Sequence, residues 1–569
     1  MSKKKFSFPI ATALHAGLKK YSVRAFKDDL IAGLVVSLIA LPLSMALAIA
    51  VGLPPQNGLY TAIVAGIVAA LLGGSMTQVS GPTAAFVVII APIVSDFGLH
   101  GIIWCQIIAG VMLIALGTAR LGKLITYVPY PVVTGFTAGI GVVIGTLALN
   151  DFFGLGIEHL KGDYIQKVIT LAGHLPGMRL PELAVGLVSL LTIVFFGKVT
   201  DKIPSPVVGI ALGTLLAWFF SRSGVHIDTL GSRFSYETAE GLKHGIPPYP
   251  PIFHLPTFAQ GALFSIPGYA EFKTLLGPAM VIAALAALES LLSATVADSM
   301  AGTRHNPNAE LNGIGIANIF SGLASGIPAT GAIARTAVNI HAGAKTPIAA
   351  VIHALLIMFY VLTLAPIINH IPMAALAALL LNVAYRMSHV KQFIRTLRIA
   401  PHSDTIVLVG CFLLTVFIDM VAGVTAGMIL ATLLFMKRIS EATNSHITSV
   451  QTGHEIFHGR KLPPHVMIYH IDGPIFFCST KQALERADVI SGNIKKLIVD
   501  VARVPLIDMT GMVAMKDFLN SVAHEGREVV VCGKKQVTDK IMKKMAGHKM
   551  EKSIQVFSSI DHALKESVT

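Results

Sequence analysis

The sequence predicts an α-helical polytopic membrane protein that ends in a small cytoplasmic α/β domain. Three observations predict it. Of the 569 residues 53% are hydrophobic and only 13% charged, against about 25% charged in a soluble domain, and the mean hydropathy is +0.69. Long, nearly charge-free runs recur from Leu30 to Met436, as spanning helices require. Beyond Ser440 charged residues become more than twice as dense, and short apolar runs alternate with helix-like stretches, the pattern of a layered α/β domain. The alternating polarity of an outer-membrane barrel is absent.

In chain order, residues 1–29 read as a cytoplasmic N-terminal segment. Met1-Ser-Lys-Lys-Lys5 is followed by no short apolar core and no cleavage site, so it is not read as a secretory leader. Residues 30–438 form the membrane domain. Its apolar runs divide into about fourteen segments, near 30–52, 57–73, 83–95, 102–119, 131–148, 182–199, 203–221, 276–297, 311–323, 331–343, 346–367, 371–385, 403–418 and 421–436. With both ends cytoplasmic, the inside loops carry Arg120, Lys123, Lys198, Lys202, Arg304, Lys345, Arg386, Lys391, Arg395 and Arg398. That is a positive-inside bias for an inner (plasma) membrane protein. It also accounts for the net charge of +13 without nucleic acid as a partner. The Pro-rich stretch from Ser223 to Phe272 falls outside. The four cysteines have no metal-type spacing, so neither a disulfide, a metal site nor a cofactor is expected.

A linker spans 439–464 and the α/β domain 465–569. Val466–Ile471, Leu497–Val501 and Val529–Cys532 read as buried strands. Thr480–Ile490, Gly511–Ala523 and Val537–Ala546 read as helices. Lys540, Lys543, Lys544, Lys549 and Lys552 read as a solvated helix face, with contact to lipid headgroups as the lesser reading.

Two membrane segments are too short to span. One follows Val79-Ser-Gly-Pro-Thr-Ala-Ala85 and the other Gly326-Ile-Pro-Ala-Thr-Gly-Ala332. Each is an extended Gly/Pro stretch, a Thr, then small residues opening an apolar helix. They stand third in the first seven segments and third in the second seven, as in a 7+7 inverted repeat; simple Pro kinks are the plainer alternative. A helix that starts at membrane depth leaves N–H groups unpartnered and presents the positive end of its dipole. Two such ends facing each other suit an anion. Pro82 and Pro328 hold the approach extended, and Ala84, Ala85, Gly331 and Ala332 let an anion reach the backbone. Thr83 and Thr330 either ligate the anion or only cap the helices.

Three further polar residues lie nearby in sequence. Arg335 is one turn into the second half-helix, where a lone cation is costly unless something negative is close. It raises the potential for an arriving anion or forms a structural ion pair with Glu289. Glu289 sits inside an apolar run, and an acid there usually marks an ion or substrate pathway; a buried, protonated, packed Glu is the alternative. As a coupling group it either carries a proton with the anion or, with Ser293, holds Na+.

Leu41-Pro42, Gly52-Leu-Pro-Pro55 and Gly58-Leu-Tyr60 resemble the first-helix signature of the sulfate permease (SulP) family. The resemblance continues through Gly81-Pro-Thr-Ala-Ala-Phe86, Val133-Thr-Gly-Phe-Thr-Ala138, Asn308 to Asn318 and Pro328 to Thr336. The tail resembles a STAS domain, with Asp508-Met-Thr-Gly511 at its phosphorylatable loop. The resemblance implies a core and a gate domain, elevator-type movement and a homodimer. By position it implies anion contacts at Thr83, Ala84, Ala85, Phe86, Thr330, Gly331, Ala332 and Arg335, ion coupling at Glu289 and Ser293, and a regulatory role at Thr510, which otherwise shares with Asp508 the capping of a helix. Two departures stand out: Ala334 occupies a position where many animal members have Ser, and Glu289 and Ser293 stand where sodium-coupled bicarbonate members have Asp and Thr.

The function expected is secondary active transport of a small inorganic or carboxylate anion (sulfate, bicarbonate or a dicarboxylate) with H+, or Na+, as coupling ion and membrane lipid around it. The alternatives are an uncoupled channel or exchanger with a regulatory tail and, less favoured, a nucleobase–cation symporter. No nucleophile–base set, metal spacing or phosphate loop points to an enzyme.

Overall fold

A computed structural model describes the chain except for residues 1–8, 20, 124–127, 158–159, 161, 201–202, 239–240, 258–264, 450–455, 458–459, 485–493, 534–553 and 566–569. It divides into two compact units at Met428–Ile429.

The first unit is helical. Its helices are α1 (Thr12–Leu18), α2 (Val23–Ala50), α3 (Pro55–Leu72), α4 (Val87–Thr118), α5 (Tyr130–Phe152), α6 (Tyr164–His174), α7 (Leu180–Phe195), α8 (Ser205–Arg222), α9 (Leu230–Arg233), α10 (Tyr269–Ala301), α11 (Pro307–Leu323), α12 (Ile333–His341), α13 (Ile348–Ile368), α14 (Met373–Met387), α15 (Val390–Ile399), α16 (His402–Phe417) and the first part of α17 (Met420–Glu441), whose remainder belongs to the second unit. Short strands β1 (Ser80–Pro82), β2 (Ser235–Thr238), β3 (Gly241–His244) and β4 (Ala329–Gly331) interrupt them; β2 and β3 make a hairpin in the long Pro-rich segment.

Local chemistry sets many of the boundaries. Pro stands at the first turn of α3, α5, α7, α8 and α11, where its missing N–H costs nothing. Asn306 caps α11, accepting from the N–H groups of Asn308 and Ala309. Gly302 ends α10 in the left-handed conformation, φ 66°, as a C-terminal glycine does.

Ten helices among the described residues are long and apolar enough to cross a membrane. Two features separate this number from fourteen expected segments. α4 runs through the third and fourth across a kink at Gly98 (φ 60°, ψ −156°), and α11, α12 and α16 are shorter than 18 residues, whereas α7 and α14, equally short, reach that length only with the helical residues that follow them, to Lys198 and Ile399. α6 and α15 were not anticipated.

The helices pack as two bundles. α2, α3, α4, α10, α11, α12 and α13 contact one another, and α5, α7, α8, α14 and α16 do likewise. α17 joins the second bundle by laying Gly423 and Gly427 against Thr415 and Cys411. Small residues permit the close approaches, as lipid-embedded helices favour: a Cβ on Gly110 of α4 would meet the Gly315 carbonyl of α11.

The second unit holds a five-stranded sheet in the order β11 (Ile554–Phe557), β10 (Glu528–Cys532), β9 (Lys496–Asp500), β8 (Val466–Asp472), β5 (Asn444–Thr448). A two-residue pair, β6 (Ile456–Phe457) and β7 (Arg460–Lys461), precedes β8. All neighbours in the sheet are parallel except β5 with β8. The three strands read from the sequence are β8, β9 and β10. The edge strand β5 comes from residues assigned above to the linker. α18 (Thr480–Leu484) and α19 (Met509–His524) correspond to two expected helices; residues 485–490 and the helix expected over 537–546, with its lysine cluster, lie outside the described residues. Alternation along the strands builds two cores. Met467, Tyr469, Leu497 and Val529 pack with Met515 and Leu519 of α19. Val466, Ile468, Ile498 and Val530 pack with Ala563 and Leu564 of α20 (Ile560–Lys565).

At the ends of β8 and β9 the Asp500 carboxylate lies 2.9 Å from His470 Nδ1. Burial pushes the Asp500 carboxyl up, but the His470 ring and the Ala502 N–H outweigh it and hold the group below the usual carboxylate range. The sign follows: its contribution is present above the unfolded value near 3.9 and is lost as pH falls through the lower folded value. Asp500→Asn is therefore expected to cost about 2 kcal/mol at pH 7 and progressively less below about pH 4. Thermal unfolding of the two proteins at pH 7 and pH 3 checks this.

Candidate functional site

The two interrupted segments meet. β1 and β4 pair antiparallel, with Ser80 opposite Gly331, Gly81 opposite Thr330 and Pro82 opposite Ala329. Both strands are extended because Pro disfavours helix in the residue before it and cannot donate to one. The ladder joins the third and tenth segments, so the paired interruptions are more than kinks in two separate helices.

Side chains from neighbouring helices take up the backbone groups that a short ladder leaves free. Asn318 of α11 accepts from Ala329 N–H and donates to Ala329 C=O, both at 2.9 Å. Thr61 of α3 accepts from Ile327 N–H at 2.6 Å. Ser290 of α10 accepts from Gly331 N–H at 3.0 Å. Glu310 of α11 accepts from Gly74 N–H, Ser75 N–H and the Gln78 amide. These groups have no water to turn to at membrane depth, so each lost partner is costly. Asn318→Ala strands the Ala329 N–H and C=O together, and is expected to lower stability by about 2–4 kcal/mol; the melting temperature of detergent-solubilised protein checks it.

From this frame β1 delivers Thr83 and β4 delivers Thr330 to one carboxylate. Glu289 Oε2 accepts from Thr330 Oγ1 at 2.8 Å and from Thr83 Oγ1 at 3.1 Å. The two hydroxyl oxygens are 3.5 Å apart. Neither threonine caps a helix: Thr83 makes no side-chain bond to the turn it precedes, and the N-cap of α12 is Ala332. Glu289 and Thr83 are half-buried, whereas Thr330 is fully buried, so the carboxylate is open on one side.

Ala84, Ala85 and Phe86 form the opening turn that leads into α4. Gly331 and Ala332 lead into α12, whose Ile333 and Ala334 are exposed. In both helices the first N–H groups precede any intrahelical acceptor, and each helix starts within four residues of a threonine that bonds Glu289.

Arg335 is 3% exposed. Its guanidinium donates to the Pro82 carbonyl, an acceptor left outside the ladder. Nε and Nη1 have no partner, and among the described residues Arg335 forms no ion pair, so the structural pair with Glu289 is not made. His353 of α13 is fully buried, and among the described residues neither of its ring nitrogens has a partner.

Ser293 lies one turn along α10 from Glu289. It is fully buried and donates to Thr336 Oγ1 at 3.2 Å, which itself accepts from Val79 N–H. Among the described residues no group of three His, Cys, Asp or Glu side chains has the arrangement of a metal site.

In the second unit Asp508 caps α19, accepting from Gly511 N–H at 2.7 Å and Phe477 N–H at 3.0 Å. Thr510 stands exposed on the first turn, so the capping role falls to Asp508.

The sequence reading missed Ser290, Asn318, Gln78 and His353. The first two lie within runs already singled out, one residue past Glu289 and at the end of the Asn308–Asn318 motif, but only the fold shows that they hold β4.

Residues 26–411 match the sulfate permease family, and residues 460–563 match the STAS domain. The chain is 36% identical over 537 residues to YvdB of Bacillus subtilis, provisionally assigned as a sulfate transporter, covering 94% of this chain and 96% of that protein. It is 28% identical over 573 residues to the bicarbonate transporter BicA of Picosynechococcus, covering 96% of each. Among solved structures, the murine Solute Carrier 26 member A9 anion transporter superposes with a TM-score of 0.83 at 21% identity, over 98% of this chain and 94% of that one. The transmembrane domain of a cyanobacterial BicA superposes with a TM-score of 0.58 at 28% identity, over 73% of this chain and 99% of that domain.

Proposed function

The chain belongs to the sulfate permease family, and on that premise we propose that it is a secondary active transporter that carries a small anion together with a proton. The observation that carries this reading is the convergence of Thr83 and Thr330, from two paired interruptions, on Glu289, with the Arg335 cation buried behind them. Sulfate, bicarbonate and dicarboxylates are the substrate classes, the first two suggested by the relatives.

The anion sits at the N-terminal ends of α4 and α12, near Thr83, Ala84, Ala85, Phe86, Thr330, Gly331 and Ala332; the Gly331 and Ala332 N–H groups are taken by Ser290 and the Val79 carbonyl, so the donors it draws on are those of the helix turns that follow. An ionised Glu289 repels it. A protonated Glu289 does not, and its two threonine hydroxyls become available to the anion's oxygens. Binding of anion and proton are then mutually favourable, which is what symport requires. Arg335 supplies fixed positive potential, undiminished by water. The β1–β4 ladder makes both halves of the site one body, which suits elevator movement of the first bundle against the second.

Sodium-coupled bicarbonate symport is the second reading, favoured by the same three converging oxygens, which are also Na+ ligands; Ser293, bonded to Thr336, is the weaker part of that set. An uncoupled channel or exchanger is the third. We place the protein in the inner membrane as a homodimer with both termini cytoplasmic. Thr510 is a regulatory position, so Thr510→Ala is expected to leave uptake by purified protein unchanged.

Uptake of labelled sulfate, bicarbonate and fumarate into proteoliposomes, under an inward proton gradient and separately an inward sodium gradient, tests the proposal. Proton-driven accumulation of one anion supports it. Flux that only dissipates gradients and ignores both cations overturns it in favour of the channel or exchanger.

A further inference from the structure

α15 stands apart from the other long helices of the first unit: none of its residues is buried. Its ends are tied. Ser388–His389 joins it to the last turn of α14, and Ala400–Pro401 joins it to the first turn of α16. His389 makes the first corner in the left-handed region, φ 40° and ψ 42°. Pro401 forces the second, with Ala400 extended before it. A ten-residue helix is about 15 Å long, and it links the adjoining ends of α14 and α16, two apolar helices of the first unit.

Its roll is fixed as well. Phe393 packs on Phe412 of α16, ring centroids 5.3 Å apart, and the Gln392 amide donates to the Tyr130 hydroxyl at the start of α5. Val390, Ile394 and Leu397 fall with Phe393 on one helical stripe, at i, i+3, i+4 and i+7. They are left 42%, 42% and 36% exposed. Lys391, Arg395 and Arg398 form a second exposed stripe along one flank of the first. Among the described residues none of these three cations forms an ion pair. Arg386, one turn before the corner, is exposed too.

We propose that α15 is an interfacial helix that lies in the membrane surface and binds anionic phospholipid headgroups through Lys391, Arg395 and Arg398. The apolar stripe matches acyl chains in chemistry. The unpaired cations beside it sit where headgroup phosphates lie, the arrangement of helices that rest in a bilayer surface. The occupant is lipid rather than a soluble protein because the exposed stripe adjoins α14 and α16, apolar helices that themselves leave Tyr385, Ile406, Leu413 and Phe417 exposed, and because the cations beside it complement headgroup phosphates. The inference does not depend on which anion is carried or on the coupling ion.

The test uses full-length protein purified in detergent and native mass spectrometry with dioleoyl-phosphatidylglycerol or dioleoyl-phosphatidylcholine added. Wild type is expected to retain the anionic lipid at least about tenfold better, from roughly fivefold per cation. K391Q/R395Q/R398Q is expected to retain both lipids equally while remaining monodisperse. If the triple variant aggregates, R395Q alone decides, with an expected loss of roughly fivefold. Equal retention by wild type, or an undiminished preference in the variants, overturns the proposal. So does a triple variant that keeps its lipid preference but loses its oligomeric state, which would assign the stripe to a second copy of the chain.

Discussion

Glu289→Gln is expected to abolish proton-driven accumulation while leaving the protein folded. The magnitude follows from linkage: a gradient of two pH units drives about a hundredfold accumulation per coupled proton, since each 1.4 kcal/mol is tenfold. In the variant the ratio should fall to whatever the membrane potential alone supports. The fold should survive because the Gln carbonyl still accepts from Thr83 and Thr330, the two bonds that Glu289 makes. The change therefore removes the proton's seat without removing an acceptor from two buried hydroxyls. Accumulation ratios in proteoliposomes, read beside a melting curve, check both halves. Accumulation equal to wild type would demote Glu289 to a packing residue.

Arg335→Ala should weaken anion binding by about 10–100-fold, the range of one or two charge-assisted contacts. The guanidinium is nearly sealed from solvent, so water cannot screen it as it would a surface cation. Its Nε and Nη1 have no partner among the described residues, while Nη2 donates to the Pro82 carbonyl. The loss should appear as a raised half-saturation concentration in uptake and as a raised Kd in calorimetric titration. Arg335→Lys keeps the charge but not the planar fork, so it should fall between the two. An unchanged Kd in Arg335→Ala would leave Arg335 as no more than a clamp on β1.

The comparison of sequence and structure turns on length scales. The interruptions at Pro82 and Pro328 were legible because Gly, Pro and Thr cluster visibly inside apolar runs. The acid at 289 was legible because charge is rare there. The ladder between β1 and β4 was not: three residues carry too little alternation to announce a strand, and their pairing is non-local. Asn318 and Ser290 looked like ordinary small polar residues, and only the position of Ala329 and Gly331 explains them. α15 was folded into a basic loop in the reading, since its period of 3.6 is carried by four apolar residues. β5 was lost for a similar reason, as an edge strand with a polar face and no turn signal of its own. Helical spacing put Ser293 one turn from Glu289, but its bond to Thr336 is non-local and could not be read from the sequence.

The ladder between β1 and β4 also bears on how the protein is made. Thr83 leaves the ribosome 247 residues before Thr330, about 10–50 s at ordinary rates of synthesis. Throughout that interval the first arm lacks its opposite strand, and Arg335 and Thr336, which bond the Pro82 carbonyl and the Val79 N–H, follow later still. Its exposed backbone must be sheltered by water, by the insertion machinery or by a provisional structure, because lipid gives it no partner. A stalled or truncated chain that ends before α12 is thus more than a short transporter. It is a chain with an open seam, and a cell's quality control would have a physical feature to recognise.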